Sequence, residues 1–228
     1  MKLALLEKKL GIKFKNQALL TQALVHRSYL NEANEANLQS NERLEFLGDV
    51  ILSFVISQWL FERFPEYSEG NLTNLRSNLV KTEALAKISK KFDLGNYLFL
   101  SKGEKEAGGQ KNPSLLANGL EALIGALYLD QGLEKVRKLV KTHFRSRLTQ
   151  LVRSGEFKDA KSLLQEKLQA QFKQAPHYQV LKAEGPDHAK IFTVAVYHQK
   201  KLLATGQGKS KQAAEEKAAA LALEKIKL

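Results

Sequence analysis

The stretch NERLEFLGD (residues 41–49) runs directly into the apolar segment VILSFVISQWLF (residues 50–61). The periodicity predicts one long, mostly buried helix over Asn41–Phe64, ended by the following Pro65. Three carboxylates at spacing i, i+3 and i+7 share one face of that helix: Glu42, Glu45 and Asp49. An unpaired carboxylate is costly to bury, so this face must either meet cations or lie open to water.

A second apolar segment also contains an acidic residue on a face that is expected to be buried. NPSLLANGLEALIGALYLD (residues 112–130) predicts a helix over Pro113–Asp130, in which Glu121 is the single charge before Asp130. Asn118 lies three residues before Glu121 and therefore on the same face. Two interpretations stay open at this point. The acids form a structural ion-pair network, or the oxygen ligands of both helices hold Mg²⁺ or Mn²⁺. Three cations are candidates for the ion pairs: Arg43, Arg76 and Lys111.

Composition narrows the class of protein. The 228 residues carry a formal net charge of +12, which attracts polyanions such as nucleic acids. The absence of cysteine excludes disulfides and thiolate metal sites and is consistent with a reducing interior. No uncharged apolar run approaches the roughly 18–20 residues that span a bilayer, and the start is too polar for a signal peptide. We therefore expect a cytoplasmic protein without a membrane segment.

Helical periodicity continues to about residue 153 and then changes. Further helices are expected over Lys2–Leu10, Asn16–Leu24, Glu69–Val80 with continuation through Lys91, and Leu133–Arg153. The polar, glycine-rich SKGEKEAGGQKN (residues 101–112) is predicted as a loop. After a polar linker at 154–158, the pattern predicts a helix over Asp159–Phe172, three antiparallel strands and a closing helix. The strands fall at 177–184, 190–198 and 200–206, and the helix at Lys211–Lys227.

Polar side chains in this second part suit RNA. Ser162, Gln165 and Gln169 form one stripe along the first helix, and such uncharged donors match 2′-hydroxyls and base edges in a shallow minor groove. Lys209 and Lys211 flank the start of the last helix, where free amides also attract phosphate. The alternative is an ordinary solvated helix face.

Several long motifs, in order, resemble bacterial ribonuclease III. They are HRSYLNE (26–32), NERLEFLGD (41–49), SEGNLTNLRSNLV (68–80) and LEALIGALYLDQG (120–132). The last part resembles a double-stranded RNA-binding domain through GPDH (185–188) and GQGKSKQAAEEKAA (206–219). The resemblance implies a mainly α protein. An all-helical endonuclease domain (1–153) and a linker (154–158) precede an α-β-β-β-α double-stranded RNA-binding domain (159–228).

The same resemblance implies roles for individual residues. Metal ligands map onto Glu45, Asp49, Asn118 and Glu121, and the catalytic set onto Asp49, Glu121, Glu42 and Glu69. Phe46 maps onto an aromatic that inserts into the partner subunit. RNA contacts map onto the second-domain residues Ser162, Gln165, Gln169, His188, Lys209 and Lys211. The family usually has Asp where this chain has Asn118, and a second Lys where it has Gln212.

The implied function is Mg²⁺-dependent hydrolysis of double-stranded RNA by a homodimer, with Mn²⁺ able to substitute. The expected products carry 5′-phosphates, 3′-hydroxyls and short 3′ overhangs, in the processing and decay of rRNA and mRNA. The alternative is a non-catalytic, dimeric double-stranded RNA-binding protein, an interpretation that rests on Asn118.

Overall fold

The computed structural model describes residues 2–33, 37–155, 157–186 and 189–226. They divide into two compact units, Met1–Glu156 and Phe157–Leu228. The helices of the first unit are α1 (Lys2–Leu10), α2 (Gln17–Ala23), α3 (Arg27–Leu30), α4 (Glu42–Arg63), α5 (Glu69–Val80), α6 (Thr82–Lys91), α7 (Lys102–Glu106), α8 (Pro113–Gln131) and α9 (Leu133–Ser154). The second unit contains α10 (Ala160–Phe172), β1 (His177–Glu184), β2 (Ile191–His198), β3 (Lys201–Gly208) and α11 (Lys211–Lys225). This order confirms the predicted mainly α fold, helices followed by α-β-β-β-α.

Helices α4 and α8 form the centre of the first unit and pack along one another. Their facing apolar side chains are fully or almost fully buried, including Leu52, Ile56, Leu120 and Ile124. Helix α4 is long and apolar enough to cross a membrane by length and composition, whereas the sequence predicted no such segment. One side of α4 packs against α8, while several apolar residues on its other side stay exposed.

Two local predictions for the first unit are wrong, and one short helix was missed. The helix expected from Glu69 through Lys91 is broken at Lys81, whose backbone is extended (φ −63°, ψ 150°). That break turns the chain so that the buried face of α6 packs against α8. The segment 101–112 is not only a loop, because Ser101 caps α7 and a 3-10 helix follows at Gly109–Lys111. The short α3, capped by the His26 side chain, was not predicted.

The second unit packs two helices on an antiparallel sheet of order β1-β2-β3. Its core consists of aliphatic side chains from α10, β2, β3 and α11: Leu164, Leu168, Val196, Ala204, Ala218, Ala219 and Ala222. A Cβ at Gly206 would lie 2.3 Å from the Ala218 amide nitrogen, so this glycine allows β3 to approach α11 closely. Phe192 in β2 is only half-buried, and β1 is largely exposed.

Candidate active site and nucleic-acid interface

An acidic cavity of about 650 Å³ opens where the first turns of α4 meet the middle of α8. Five of the predicted residues line it together: Glu42, Glu45, Asp49, Asn118 and Glu121. Asp49 and Glu42 are exposed, while Glu45, Asn118 and Glu121 are half-buried. The face predicted from the spacing of the acids is therefore open to water.

Two glycines bring the acids of α4 and α8 together. A Cβ at Gly48 would lie 1.8 Å from the Glu121 carbonyl oxygen, and a Cβ at Gly125 would lie 2.2 Å from the Leu44 carbonyl oxygen. The two helix backbones are thus in direct contact at this crossing, which only residues without a side chain permit. Gly48 immediately precedes Asp49, so the contact places that acid opposite Glu121.

Crowding of the carboxylates perturbs their ionisation. Burial raises the pKa of Glu121 to about 7, and repulsion from Asp49 and Glu45 adds to the effect. Burial likewise raises the pKa of Glu45, with further repulsion from Glu42 and Asp49. A hydrogen bond from Asn118 opposes that rise. Like charges held together near low-dielectric protein favour either a proton or a bound cation.

The side chains do not form the ion-pair network that the sequence left open. Over the described ranges, the one salt bridge to a cavity acid joins Arg27 to Glu42, at 3.6 Å. Arg76 donates to the Ser57 hydroxyl at 3.1 Å and lines a different cavity. Arg43 and Lys111 are exposed and do not line the acidic cavity. The ion-pair interpretation is therefore wrong.

The donor set fits a hard divalent cation in its chemistry. Three carboxylates and one amide oxygen face one water-accessible cavity, and such oxygens are the usual ligands of Mg²⁺ and Mn²⁺. The coordination shell is not closed. In the parts of the chain that the structure describes, no three His, Cys, Asp or Glu side chains lie close enough to hold a metal ion. Small side-chain movements are therefore needed for binding, as expected for carboxylates that repel one another.

Glu69 is not brought to the acidic cavity. It begins α5, where its carboxylate accepts a hydrogen bond from the Thr73 hydroxyl at 2.9 Å. It lines a second cavity of about 610 Å³, together with Phe54, Phe61 and Arg76. Within one chain, the sequence-based grouping of Glu69 with the other acids is not observed.

Five further residues line the acidic cavity and were given no role from the sequence: His26, Arg27, Asn41, Leu98 and Leu115. Arg27 is the one Lys or Arg in that lining, and its side chain is 74% exposed. His26 and Arg27 open the motif HRSYLNE, which was the available signal for them. Leu98 and Leu115 have no such signal, since an apolar residue beside a site looks like any core residue.

An exposed apolar face runs along α4 from the acidic cavity to the second cavity. Phe46 is 77% exposed, and Val50, Phe54 and Phe61 are each more than half exposed on the same helix. Large apolar side chains that cluster on one exposed helix face are typical of a protein interface. Phe46 lines the acidic cavity itself.

The predicted RNA-binding residues are accessible where the structure describes them. On α10, Gln165 and Gln169 are exposed and Ser162 is half-buried. Lys209 and Lys211 are exposed on either side of Ser210, whose hydroxyl caps α11 by accepting from the Ala213 amide. His188 lies outside the described residues, so its predicted contact stays a prediction.

Comparisons with known proteins agree with both units. The sequence model for Ribonuclease-III-like proteins matches residues 16–148, and that for the double-stranded RNA binding motif matches residues 160–226. Proteins named Ribonuclease 3 are similar over nearly the whole chain. The one from a Nitratiruptor species is 44% identical, over 97% of this chain and 95% of its own. The one from Carboxydothermus hydrogenoformans is 46% identical, over 97% and 94%.

Solved structures give the same result for the first unit. The nuclease domain of Campylobacter jejuni ribonuclease III superimposes with a TM-score of 0.58 at 37% identity, covering 63% of this chain and 94% of that domain. A second structure of that domain is described as flexible in the region involved in dimer formation. It superimposes with a TM-score of 0.56 at 38% identity, covering 62% and 97%. With its helical nuclease unit and its α-β-β-β-α unit, the chain belongs to the ribonuclease III family.

Proposed function

We propose that this protein is a metal-dependent endoribonuclease that cleaves double-stranded RNA as a homodimer. Its products carry 5′-phosphates, 3′-hydroxyls and short 3′ overhangs. It acts in the cytoplasm on rRNA and mRNA. A sequence without cysteine suits that reducing compartment. The observation that carries the proposal is the acidic cavity, where Glu45, Asp49 and Glu121 face one another without a salt bridge to any described cation.

In this proposal, Glu45, Asp49, Asn118 and Glu121 hold Mg²⁺, with Mn²⁺ as a substitute. A bound ion would supply an activated water and would stabilise charge on the leaving oxygen. Asn118 keeps an oxygen at the fourth position and uses its amide to hold the Glu45 carboxylate by a hydrogen bond. Glu42 pairs with Arg27 and accepts from the Ser40 hydroxyl at 3.0 Å, so it orients the one cationic side chain in the cavity.

The exposed apolar face of α4 supports dimerisation. Phe46 lines the acidic cavity and Val50 follows it one helical turn later, while Phe54 and Phe61 line the cavity of Glu69. A second subunit that covers this face would remove these side chains from water. Within one chain Glu69 is outside the acidic cavity, so we assign it a role only in the dimer.

The second unit supplies RNA binding. The exposed amides of Gln165 and Gln169 on α10 suit the minor groove of an A-form duplex, and Lys209 and Lys211 suit the phosphates. Recognition by 2′-hydroxyls and phosphates reads shape rather than sequence. We therefore expect duplex RNA to be preferred over duplex DNA, with little dependence on base sequence.

Cleavage of a long duplex RNA tests the proposal. Product ends and lengths are measured in excess MgCl₂ and in EDTA, for the wild type and for Glu121→Gln. We expect cutting only with Mg²⁺ and only by the wild type, while Glu121→Gln retains duplex affinity. Glu66→Gln is the matched control, because it removes one carboxylate at an exposed position outside the cavity. Binding without cleavage at any Mg²⁺ or Mn²⁺ level would instead support the non-catalytic alternative.

A further inference from the structure

Helix α9 carries an unbalanced positive charge. Its sequence LEKVRKLVKTHFRSRLTQLVRS (residues 133–154) has seven Lys and Arg residues and one acid, Glu134. The Arg137 guanidinium forms a salt bridge with Glu134 and donates a hydrogen bond to the Gln58 side chain. The one acid of this helix is therefore already paired. The apolar face of α9, including Val136, Val140 and Phe144, is buried. The remaining cations therefore lie on the exposed side.

Three adjoining grooves form one continuous surface along the exposed side of α9. The first, about 400 Å³, lies between the end of α1 and the start of α9 and includes Lys8, Lys13 and Lys135. It shares Lys138 with a second groove of about 540 Å³. That groove shares Arg145 with a third of about 850 Å³, which reaches Arg153. We call this surface the basic track, defined by Lys8, Lys13, Lys135, Lys138, Lys141, Arg145 and Arg153.

The track cations are available to a ligand. All seven are exposed, and across the described ranges none of their side chains forms a salt bridge or a hydrogen bond to another group. Along α9, Lys138, Lys141 and Arg145 follow one another at three and four residues. From Lys138 to Arg153 the helix rises about 22 Å. A row of cations of this length suits the repeated charges of an extended polyanion rather than a single small anion.

We propose that the basic track binds the phosphate backbone of duplex RNA, outside the acidic cavity. No residue of the track lines that cavity. Hydroxyl and amide side chains lie between the cations, including Thr149 and Gln150, and such groups can donate to phosphate oxygens. The inference rests on duplex RNA being the ligand of this protein, as proposed above, and adds a second contact surface on the nuclease unit.

The composition of the track separates duplex RNA from other polyanionic partners. No Phe, Tyr or Trp lines the three grooves, and the one imidazole in their lining, that of half-buried His143, already packs edge-on against the Phe92 ring at 4.7 Å between centroids. Single-stranded bases therefore find no free ring on which to stack. None of the exposed large apolar side chains of the described residues lies on α9, so the helix has no anchor for a membrane surface. A duplex presents phosphates without requiring either feature.

Binding of the full chain to a fluorescent RNA duplex of about 40 base pairs, in EDTA to prevent cleavage, tests the inference. K141Q/R145Q removes two track charges, and K87Q/K90Q removes two exposed charges at similar spacing on α6. At about 0.1 M salt we expect K141Q/R145Q to weaken binding at least about tenfold and to lower the log–log salt slope by about 1.5. The control variant should bind like the wild type.

A second pair, K8Q/K135Q in the first groove, should give the same loss and guards against a local folding defect in the first pair. Track variants that bind duplex RNA like the wild type or like K87Q/K90Q overturn the inference. So does a loss confined to phosphatidylserine vesicles, with duplex affinity intact, which would assign the surface to membranes. A wild type that binds no duplex at all overturns the proposed function itself.

Discussion

Replacing Glu121 by Gln is expected to stabilise the nuclease unit at high pH while it abolishes cleavage. The cavity raises the pKa of Glu121 from an ordinary 4.5 to about 7. The folded protein therefore binds a proton more tightly than the unfolded chain, and stability falls as pH rises from about 4.5 through 7. A shift of this size corresponds to at most about 3 kcal/mol. Because Glu121 is partly exposed to solvent, screening reduces that to about 1 to 2 kcal/mol.

Gln is uncharged at every pH, so the variant does not lose this stability as the pH rises. For a unit of this size, about 1 to 2 kcal/mol raises the Tm by roughly 2–8 °C. In EDTA, the difference between Glu121→Gln and wild type should thus be near zero at about pH 4 and roughly 2–8 °C at about pH 8. Trp59, the single tryptophan, is buried in α4, so its fluorescence during heating reports on the nuclease unit alone.

The control for this experiment is Glu66→Gln, which removes a charge at an exposed position and should leave the Tm difference flat with pH. Added MgCl₂ should stabilise the wild type and leave Glu121→Gln nearly unchanged, since only the wild type keeps all three carboxylates. A Glu121→Gln protein that is no more stable than wild type at high pH would refute the argument. The carboxylates would then not be held against one another as the cavity shows.

Three further outcomes follow from the same geometry. Gly48→Ala should destabilise the nuclease unit by about 3 kcal/mol or more, measured by the denaturation midpoint, because its methyl group would lie against the Glu121 carbonyl. Asn118→Asp should lower the Mg²⁺ concentration for half-maximal cleavage several-fold, because it adds a negative charge to the donor set. Phe46→Ala should weaken the dimer about 100-fold in sedimentation equilibrium, since two exposed rings, one per subunit, lose their apolar contact at about 1.5 kcal/mol each.

Each of these changes has a matched control in the chain. Gly103→Ala meets no atom within 4 Å and should leave stability unchanged or slightly higher. Asn112→Asp adds the same charge at the cap of α8, outside the cavity, and should not alter the Mg²⁺ titration. Phe172→Ala removes an exposed ring from the second unit, and the dimer should persist. A variant that behaves like its control would contradict the role assigned to that residue.

The sequence by itself determined the elements that local chemistry controls. Spacing of apolar residues defined α4 and α8, and the interval between acids placed Glu45 and Asp49 on one helix face. Period-two patterns and turn residues located the three strands to within a residue or two at each end, because each strand is bounded by local turns. The motif order also identified the family, since side-chain identities at long fixed spacings are a property of the sequence alone.

Tertiary structure decided what those faces meet. Whether Glu45 and Asp49 pair with arginine or share a cavity with Glu121 depends on the contact of Gly48 with α8, a helix far away along the chain. Long-range packing likewise broke the helix at Lys81 and left Glu69 outside the acidic cavity. Periodicity reports only which side of a helix is apolar. The partner of that side is determined by the whole fold.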